Sequence, residues 1–163
     1  MNIRTLTIPF IIKTDDELSE AERMLCAKAK EATLRSYSPY SHFFVGAALE
    51  LSDGTIVSGS NQENAAYPSG LCAERVAMFY ANSSYPDLAI KRMCITARGV
   101  NGTFVTTPIS PCGACRQSLL EAELRHATDI EVLLYGTAHT IILQSIKSLL
   151  PLAFCQTDLQ SSE

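Results

Sequence analysis

The chain has no basic run that could track a phosphate backbone: its 163 residues carry 13 Lys and Arg against 17 Asp and Glu, a formal charge of −4. Nucleic acid is therefore not the expected partner, and a small uncharged substrate is favoured. No apolar run approaches the roughly 20 residues of a membrane span. Residues Met1 to Lys13 lack a basic start, a long apolar core and a small-residue cleavage site, so they do not read as a secretory signal. The expectation is a soluble, cytoplasmic protein without membrane contact. Internal repeats and low-complexity stretches are also missing, and the length leaves little room for two domains. At 47% hydrophobic residues the chain can bury one continuous core without disulfide staples. In a reducing compartment its six cysteines are expected as thiols or metal ligands. Cys26, Cys94 and Cys155 lie among apolar neighbours and read as free buried thiols.

Periodicity and turn chemistry divide the chain into alternating helices and strands. Ile3 to Ile12 reads as an added strand or ordered arm, with Pro9 favouring an edge position. Thr14, Asp15, Asp16 and Glu17 have the pattern of a capping box, opening a helix whose apolar positions Leu18, Ala21, Leu25, Ala29 and Ala32 share a face. A loop over Ser36 to His42 leads to a strand at Phe44 to Leu51, a turn at Ser52-Asp53-Gly54, and a returning strand at Thr55 to Ser58. The polar connection Asn61 to Gly70 precedes a helix predicted from Leu71 to about Ala81. Then come a strand over Lys91 to Arg98, an extended piece over Phe104 to Ile109, and a helix over Cys112 to Leu124 with Pro111 in its first helical position. Strands at Ile130 to Tyr135 and Thr140 to Leu143 and a short helix from Ser145 complete an α/β sandwich of two or three layers. Residues 1–13 form an arm outside a single domain spanning 14–163.

The chemistry is concentrated in Cys72-Ala73-Glu74 and, about forty residues later, Pro111-Cys112-Gly113-Ala114-Cys115. Three thiolates form the base of a tetrahedral zinc site and leave a fourth position open, as catalytic sites do. Cys112 and Cys115, three apart at a helix start, present both sulfurs on one face, where the helix N-terminus favours thiolate over thiol. Three thiolates and Zn²⁺ sum to −1, and Arg75 is the candidate for drawing that excess charge off the sulfurs. Glu74, two residues from a ligand, is placed to manage protons as a general acid and base. A lone C-x-x-C pair is a weak signal, but the whole string matches the zinc deaminase signature of Cys or His, one residue, Glu, then Pro-Cys-x-x-Cys.

On these residues, and on three further segments, the chain resembles the cytidine deaminases of the small single-domain kind over Leu18 to Leu159. The further segments are Tyr37-Ser38-Pro39-Tyr40-Ser41-His42-Phe43 with Val45 to Leu49, Asn61-Gln62-Glu63-Asn64-Ala65, and Leu149-Leu150-Pro151-Leu152-Ala153-Phe154. The resemblance implies a three-layer sandwich around a mixed five-stranded sheet with helices on both faces, one Zn²⁺ per subunit held by Cys72, Cys112 and Cys115, and catalysis by Glu74. It implies a pyrimidine nucleoside substrate, with Phe43 stacking on the base, the Ala73 backbone N–H on the base carbonyl, and Asn61 and Glu63 on the sugar hydroxyls. Tyr67 and Phe154 match positions that reach a neighbouring subunit's site in a homotetramer; a homodimer is the alternative assembly. The implied reaction is hydrolytic deamination of cytidine and 2′-deoxycytidine to the uridines and ammonia, in pyrimidine salvage. A Glu63 carboxylate beside the sugar would repel a 5′-phosphate, so a nucleoside fits better than a nucleotide.

The chain departs from the family pattern at Phe44, which stands where proline is common, and at Ser60, a frequent cysteine position. Phe44 leaves the segment before the first strand less rigid. Two other readings stay open: a deaminase of a modified aminopyrimidine nucleoside of the blasticidin S type, and a non-catalytic zinc module in which His42 or Cys94 closes the fourth coordination position.

Overall fold

The computed structural model describes residues 1–160; the last three residues of the expected 14–163 domain lie outside it. A six-stranded mixed sheet runs through the molecule, with strands β1 (Ile11–Lys13), β2 (Phe44–Leu51), β3 (Ile56–Ser60), β4 (Ile90–Arg98), β5 (Glu131–Tyr135) and β6 (Thr140–Leu143). Their spatial order is β1-β6-β5-β4-β2-β3; β4 and β5 pair in parallel and all other neighbours are antiparallel. Helix α1 (Glu20–Ala32) covers one face, and α2 (Ala73–Ser84) and α3 (Gly113–His126) cover the other. The result is the three-layer sandwich expected from the resemblance. A sixth strand joins the five at the edge because residues 11–13 pair with β6, Ile12 opposite Ile141. Of the expected strand Ile3 to Ile12 only Ile11 and Ile12 are paired, Lys13 extending the ladder by one residue, with Pro9 just before it.

Strand alternation sorts the core. On β2, Ala48 faces α1 among Leu25, Cys26, Ala29, Cys94 and Leu133, while Ala47, Leu49 and Leu51 face α2 and α3 among Ala77, Met93, Ile95 and Leu119. Two glycines permit close approach where the helices meet the sheet. A Cβ at Gly46 would lie 2.1 Å from Ala29 O, and one at Gly59 would lie 2.5 Å from Ala77 N and 2.7 Å from Ala73 O. The second contact seats the first turn of α2 on β3.

Several boundaries differ from the sequence reading, each for a local reason. Thr14 to Glu17 is not the helix cap: Thr14 N and Oγ1 both donate to Glu17 Oε2, at 2.8 and 2.9 Å, and close a separate turn. The cap is Ser19, whose side chain accepts from Glu22 N while Ser19 N donates to Glu22 Oε2 at 2.6 Å. Ala21 is consequently exposed and Glu22 is buried in its stead, with Lys13 Nζ at 2.8 Å from its Oε1. Phe104 to Ile109 forms a single bridge, Phe104 opposite Arg98, instead of a strand. Cys155 is only half-buried, whereas Cys26 and Cys94 are buried as expected, their sulfurs 3.5 Å apart between α1 and β4. The C-terminal segment forms a 3-10 turn at Ile146–Leu149 capped by Ser145, followed by α4 (Gln156–Gln160).

A buried carboxylate fixes α3. Glu123, 1% exposed, accepts from Ile130 N and Ile146 N at 2.9 Å each and from Ser145 Oγ at 2.7 Å. These bonds offset its desolvation and tie α3 to the start of β5 and to the 3-10 turn.

Two outcomes follow from this packing. Gly59→Ala forces the α2 backbone off β3, with an expected loss of about 1–3 kcal/mol in denaturant unfolding; an unchanged midpoint would show that α2 is not seated there. Burial opposes ionisation of Glu22, but the Lys13 ammonium and the Ser19 N–H and hydroxyl outweigh it and hold its pKa below the ordinary value. The ionised tie therefore stabilises the fold fully above the unfolded-state value of about 4.3 and is lost as pH falls through the lower folded-state pKa. Glu22→Gln, which keeps the cap, should lower the urea midpoint at neutral pH and converge on the parent below that range.

Candidate metal centre and active site

Cys72 and Cys112 are the N-caps of α2 and α3, each with extended backbone, and neither cap position makes a side-chain hydrogen bond to its own helix. Each thiol stands where a Ser or Asp oxygen would otherwise accept from the first turn. Cys72 thus precedes α2 instead of lying in its first turn, and Pro111 lies one residue before the α3 cap, not at the first helical position. Cys115, in the first turn of α3, is fully buried. The Cys72 and Cys112 sulfurs are 3.7 Å apart, those of Cys112 and Cys115 3.5 Å apart, and all three lie within 4.8 Å of one another. Thiolates on a tetrahedral zinc, with Zn–S of ~2.3 Å, stand roughly 3.8 Å apart. The donor set and its spacing therefore fit zinc. Among the described residues neither His42 nor Cys94 belongs to this cluster, and Cys94 packs under α1 on the opposite face of the sheet.

The electrostatics single out two neighbours. Glu74 is 4% exposed, and its Oε2 has no hydrogen-bond partner. Burial first, and then the negative charge of Cys72, push its pKa up, so the carboxyl holds a proton more readily than an ordinary glutamate. The Cys72 thiol is shifted the other way. The Cys115 thiol is the largest cause, and Cys112 and Arg75 add to it against the cost of burial, so that Cys72 is held well below the ordinary thiol range. Cys115 is correspondingly raised by Cys72 and by its own burial, since the pair shares a proton. Arg75 faces the Cys72 and Cys115 sulfurs and also lines the cavity.

The cavity, about 550 Å³, opens beside Cys72 and Arg75. Its wall is built from two loops that the backbone of Gln62 joins: Gln62 bridges Tyr37 on one side and Leu71 on the other. Of the residues proposed from sequence, Asn61, Glu63, Tyr67, Cys72 and Arg75 line it. Ala73 is fully buried at the start of α2, Phe43 is 38% exposed at the loop exit, and Phe154 is 59% exposed, its carbonyl accepting from Gln117 Nε2 at 2.9 Å. Phe43, Ala73 and Phe154 are not among the lining residues.

Asn61 and Glu63 are engaged within the wall itself. Asn61 Oδ1 accepts from Ser36 Oγ and Val45 N, and its Nδ2 donates to Ser38 Oγ and Phe43 O at 2.9 Å each. Both donors and both acceptors of the amide are thereby used. Glu63 Oε2 accepts from Tyr40 N at 2.9 Å and Ser41 N at 3.2 Å. Ser41 and the Tyr40 N–H hold its carboxyl below the ordinary range. Tyr40 and Ser41 line the cavity without having been singled out as site residues. Tyr40 meets Tyr67 edge to face, with ring centroids 6.0 Å apart. The available signal was their place in a polar, proline-containing loop next to Phe43; the pairing that turns the loop toward Glu63 is long-range.

Residues 19–128 match the model of the cytidine and deoxycytidylate deaminase zinc-binding region. The chain is 40% identical over 139 residues to a cytidine deaminase from Halalkalibacterium halodurans, covering 84% of this chain and 96% of that protein. It is 35% identical over 140 residues to a probable cytidine deaminase from Dictyostelium discoideum, covering 86% and 87%. The crystal structure of cytidine deaminase from Burkholderia pseudomallei superposes with a TM-score of 0.68 at 35% identity, over 84% of this chain and all of that one. No helix among the described residues is long and apolar enough to cross a membrane. With its three sulfurs converging beside a buried carboxyl, and with these matches across most of its length, the chain belongs to the cytidine and deoxycytidylate deaminase family.

Proposed function

We propose that the protein catalyses hydrolytic deamination of cytidine and 2′-deoxycytidine to uridine and 2′-deoxyuridine, consuming water and releasing ammonia. The observation that carries this reading is the unpartnered Glu74 carboxyl buried beside three converging sulfurs. Cys72, Cys112 and Cys115 would hold one zinc per subunit. Bound there, zinc supplies the positive charge that makes water nucleophilic near neutral pH. Glu74 takes a proton from the attacking water and delivers it to the ring nitrogen beside the carbon under attack. The same carboxyl then helps the amine leave as ammonia. Its burial, which disfavours the charged form, suits the stage at which the carboxyl carries the proton from one site to the other. Arg75 draws charge from the sulfurs of Cys72 and Cys115.

The remaining residues position the nucleoside. The Ala73 N–H contacts the base carbonyl, Phe43 supplies an aromatic wall, and Glu63 meets the sugar hydroxyls, while Asn61, its amide spent on Ser36, Ser38, Phe43 and Val45, holds the wall beside it instead of reaching the sugar. The ionised state of Glu63 supports a nucleoside over a nucleotide, since a 5′-phosphate brought near it would be repelled. Tyr67 and Phe154 complete a neighbouring subunit's site in a homotetramer. This assembly is supported by the exposure of Phe154 and by the apolar side chains Phe79 and Tyr80 on α2 and Leu124 on α3, which are 46%, 54% and 41% exposed. Residues 14–163 act as one catalytic domain carrying the 1–13 arm, in cytoplasmic pyrimidine salvage.

Two variants separate the metal from the proton chemistry. Glu74→Gln should retain zinc at the parental ratio while deamination of cytidine falls by roughly 10²–10⁴-fold, read as ammonia release against zinc content; near-normal turnover would remove Glu74 from the mechanism. Cys72→Ala should lose zinc and activity together, because two thiolates rarely hold the metal alone. Stoichiometric zinc in that variant would refute the ligand set.

A further inference from the structure

Phe44, the first residue of β2, lies opposite Arg98 on β4. The guanidinium carbon of Arg98 stands 4.8 Å from the centroid of the Phe44 ring. Its Nε donates to Thr33 Oγ1 at 3.0 Å, and its Nη2 donates to Thr33 O at 3.4 Å. Thr33 is fully buried immediately after α1, and its hydroxyl donates onward to Lys30 O at 2.7 Å. One planar cation thus joins an aromatic ring on the sheet to the C-terminal end of a helix. Both partners favour it: the ring by its negative face, the helix end by the partial negative charge of its carbonyls.

What this clamp holds is the exit of the cavity loop. Both backbone groups of Phe43 are engaged: its N–H donates to Ser41 Oγ at 3.1 Å, and its carbonyl accepts from Ser38 Oγ at 3.0 Å and from Asn61 Nδ2 at 2.9 Å. His42 sits at φ 54°, a left-handed backbone that a side-chain-bearing residue adopts at a cost. The loop middle is tied by Glu63 to the N–H groups of Tyr40 and Ser41, both of which line the cavity. Phe44 is where this arrangement joins the sheet. A freely rotating residue there would let the strained turn relax into the cavity wall. The Arg98 stack and the Thr33 bonds prevent it by clamping Phe44 between β4 and the end of α1.

We propose that Arg98 is a positioning residue: acting through Phe44, it fixes the exit of loop 36–43 and thereby the cavity wall of Tyr40 and Ser41, setting nucleoside affinity without touching the reacting atoms. The affinity consequence rests on the deaminase reading above; the ordering of the loop does not.

The test compares zinc-loaded, full-length Arg98→Ala, Arg98→Lys, Phe44→Ala and the Arg98→Ala/Phe44→Ala double variant with the parent, by amide hydrogen exchange and by cytidine kinetics. In Arg98→Ala the amides of Tyr40 to Phe43 should exchange roughly tenfold faster, with those of Ala47 to Leu49 unchanged. KM should rise roughly three- to tenfold, with kcat within about twofold and zinc content retained. Phe44→Ala should reproduce this, and the double variant should be no worse than either, since both remove one interaction. Arg98→Lys should resemble Arg98→Ala, because an ammonium cannot stack as a plane while holding Thr33. Parental loop exchange in Arg98→Ala overturns the proposal. So does full restoration by Arg98→Lys, or loosening spread evenly over β2 and β4 with loss of zinc. A parent protein that fails to deaminate cytidine refutes the deaminase reading and leaves the exchange result to judge the clamp by itself.

Discussion

Two helices that start forty residues apart in sequence, at Cys72 and Cys112, begin 3.7 Å apart in space, sulfur to sulfur. Nothing local brings them together. Helix α2 is seated on β3 at Gly59, where any side chain would collide with the Ala73 and Ala77 backbone. Helix α3 is held at its other end by the Glu123 carboxylate, which binds the starts of β5 and of the 3-10 turn. The segment entering α3 is pressed inward at Gly136, whose Cβ would lie 2.5 Å from Thr106 O. Close backbone packing thus sets the distance between the sulfurs, and the metal chemistry depends on that distance.

Convergence of helix N-termini also sets the electrostatics. The Cys115 thiol first, then Cys112 and Arg75, favour negative sulfur at Cys72 against the cost of burial, and partial positive charge at a helix N-terminus acts in the same direction. The same packing removes Glu74 from water, and a carboxyl so buried beside thiolates resists ionisation. One arrangement therefore gives a group that readily binds metal and a group that readily carries a proton. The cavity beside them is walled by loops whose polar side chains are largely spent on one another, Asn61 with all four hydrogen-bonding positions occupied. Such a wall is rigid by mutual bonding more than by packing.

How far the sequence could be read depended on the range of each interaction. The strands over Phe44–Leu51, Ile90–Arg98 and Thr140–Leu143 and the helices after Cys72 and Cys112 were legible because period and capping are local properties. The start of α1 was misplaced because Thr14–Glu17 and Ser19–Glu22 share one capping pattern. Only the burial of Glu22 against Lys13, from a different element, selects the second. Phe104 to Ile109 has strand-like composition but makes one bridge, since past Phe104 its carbonyls leave β4, those of Val105 and Thr106 accepting from Thr137 N and Ala138 N beyond the end of β5.

The sequence by itself determined the donor types and their short spacings: Cys112 and Cys115 three apart, Glu74 two beyond Cys72, and the resemblance that these residues carry. Such features follow from covalent distance along a helix or turn, which no tertiary context alters. Tertiary structure alone decided that Cys72 meets Cys112 and that Glu74 is buried. It also decided that Asn61 and Glu63 bind the loop wall and that Arg98 closes over Phe44. Each of these joins elements tens of residues apart, and their separation is set by how the sheet twists and how closely helices pack upon it.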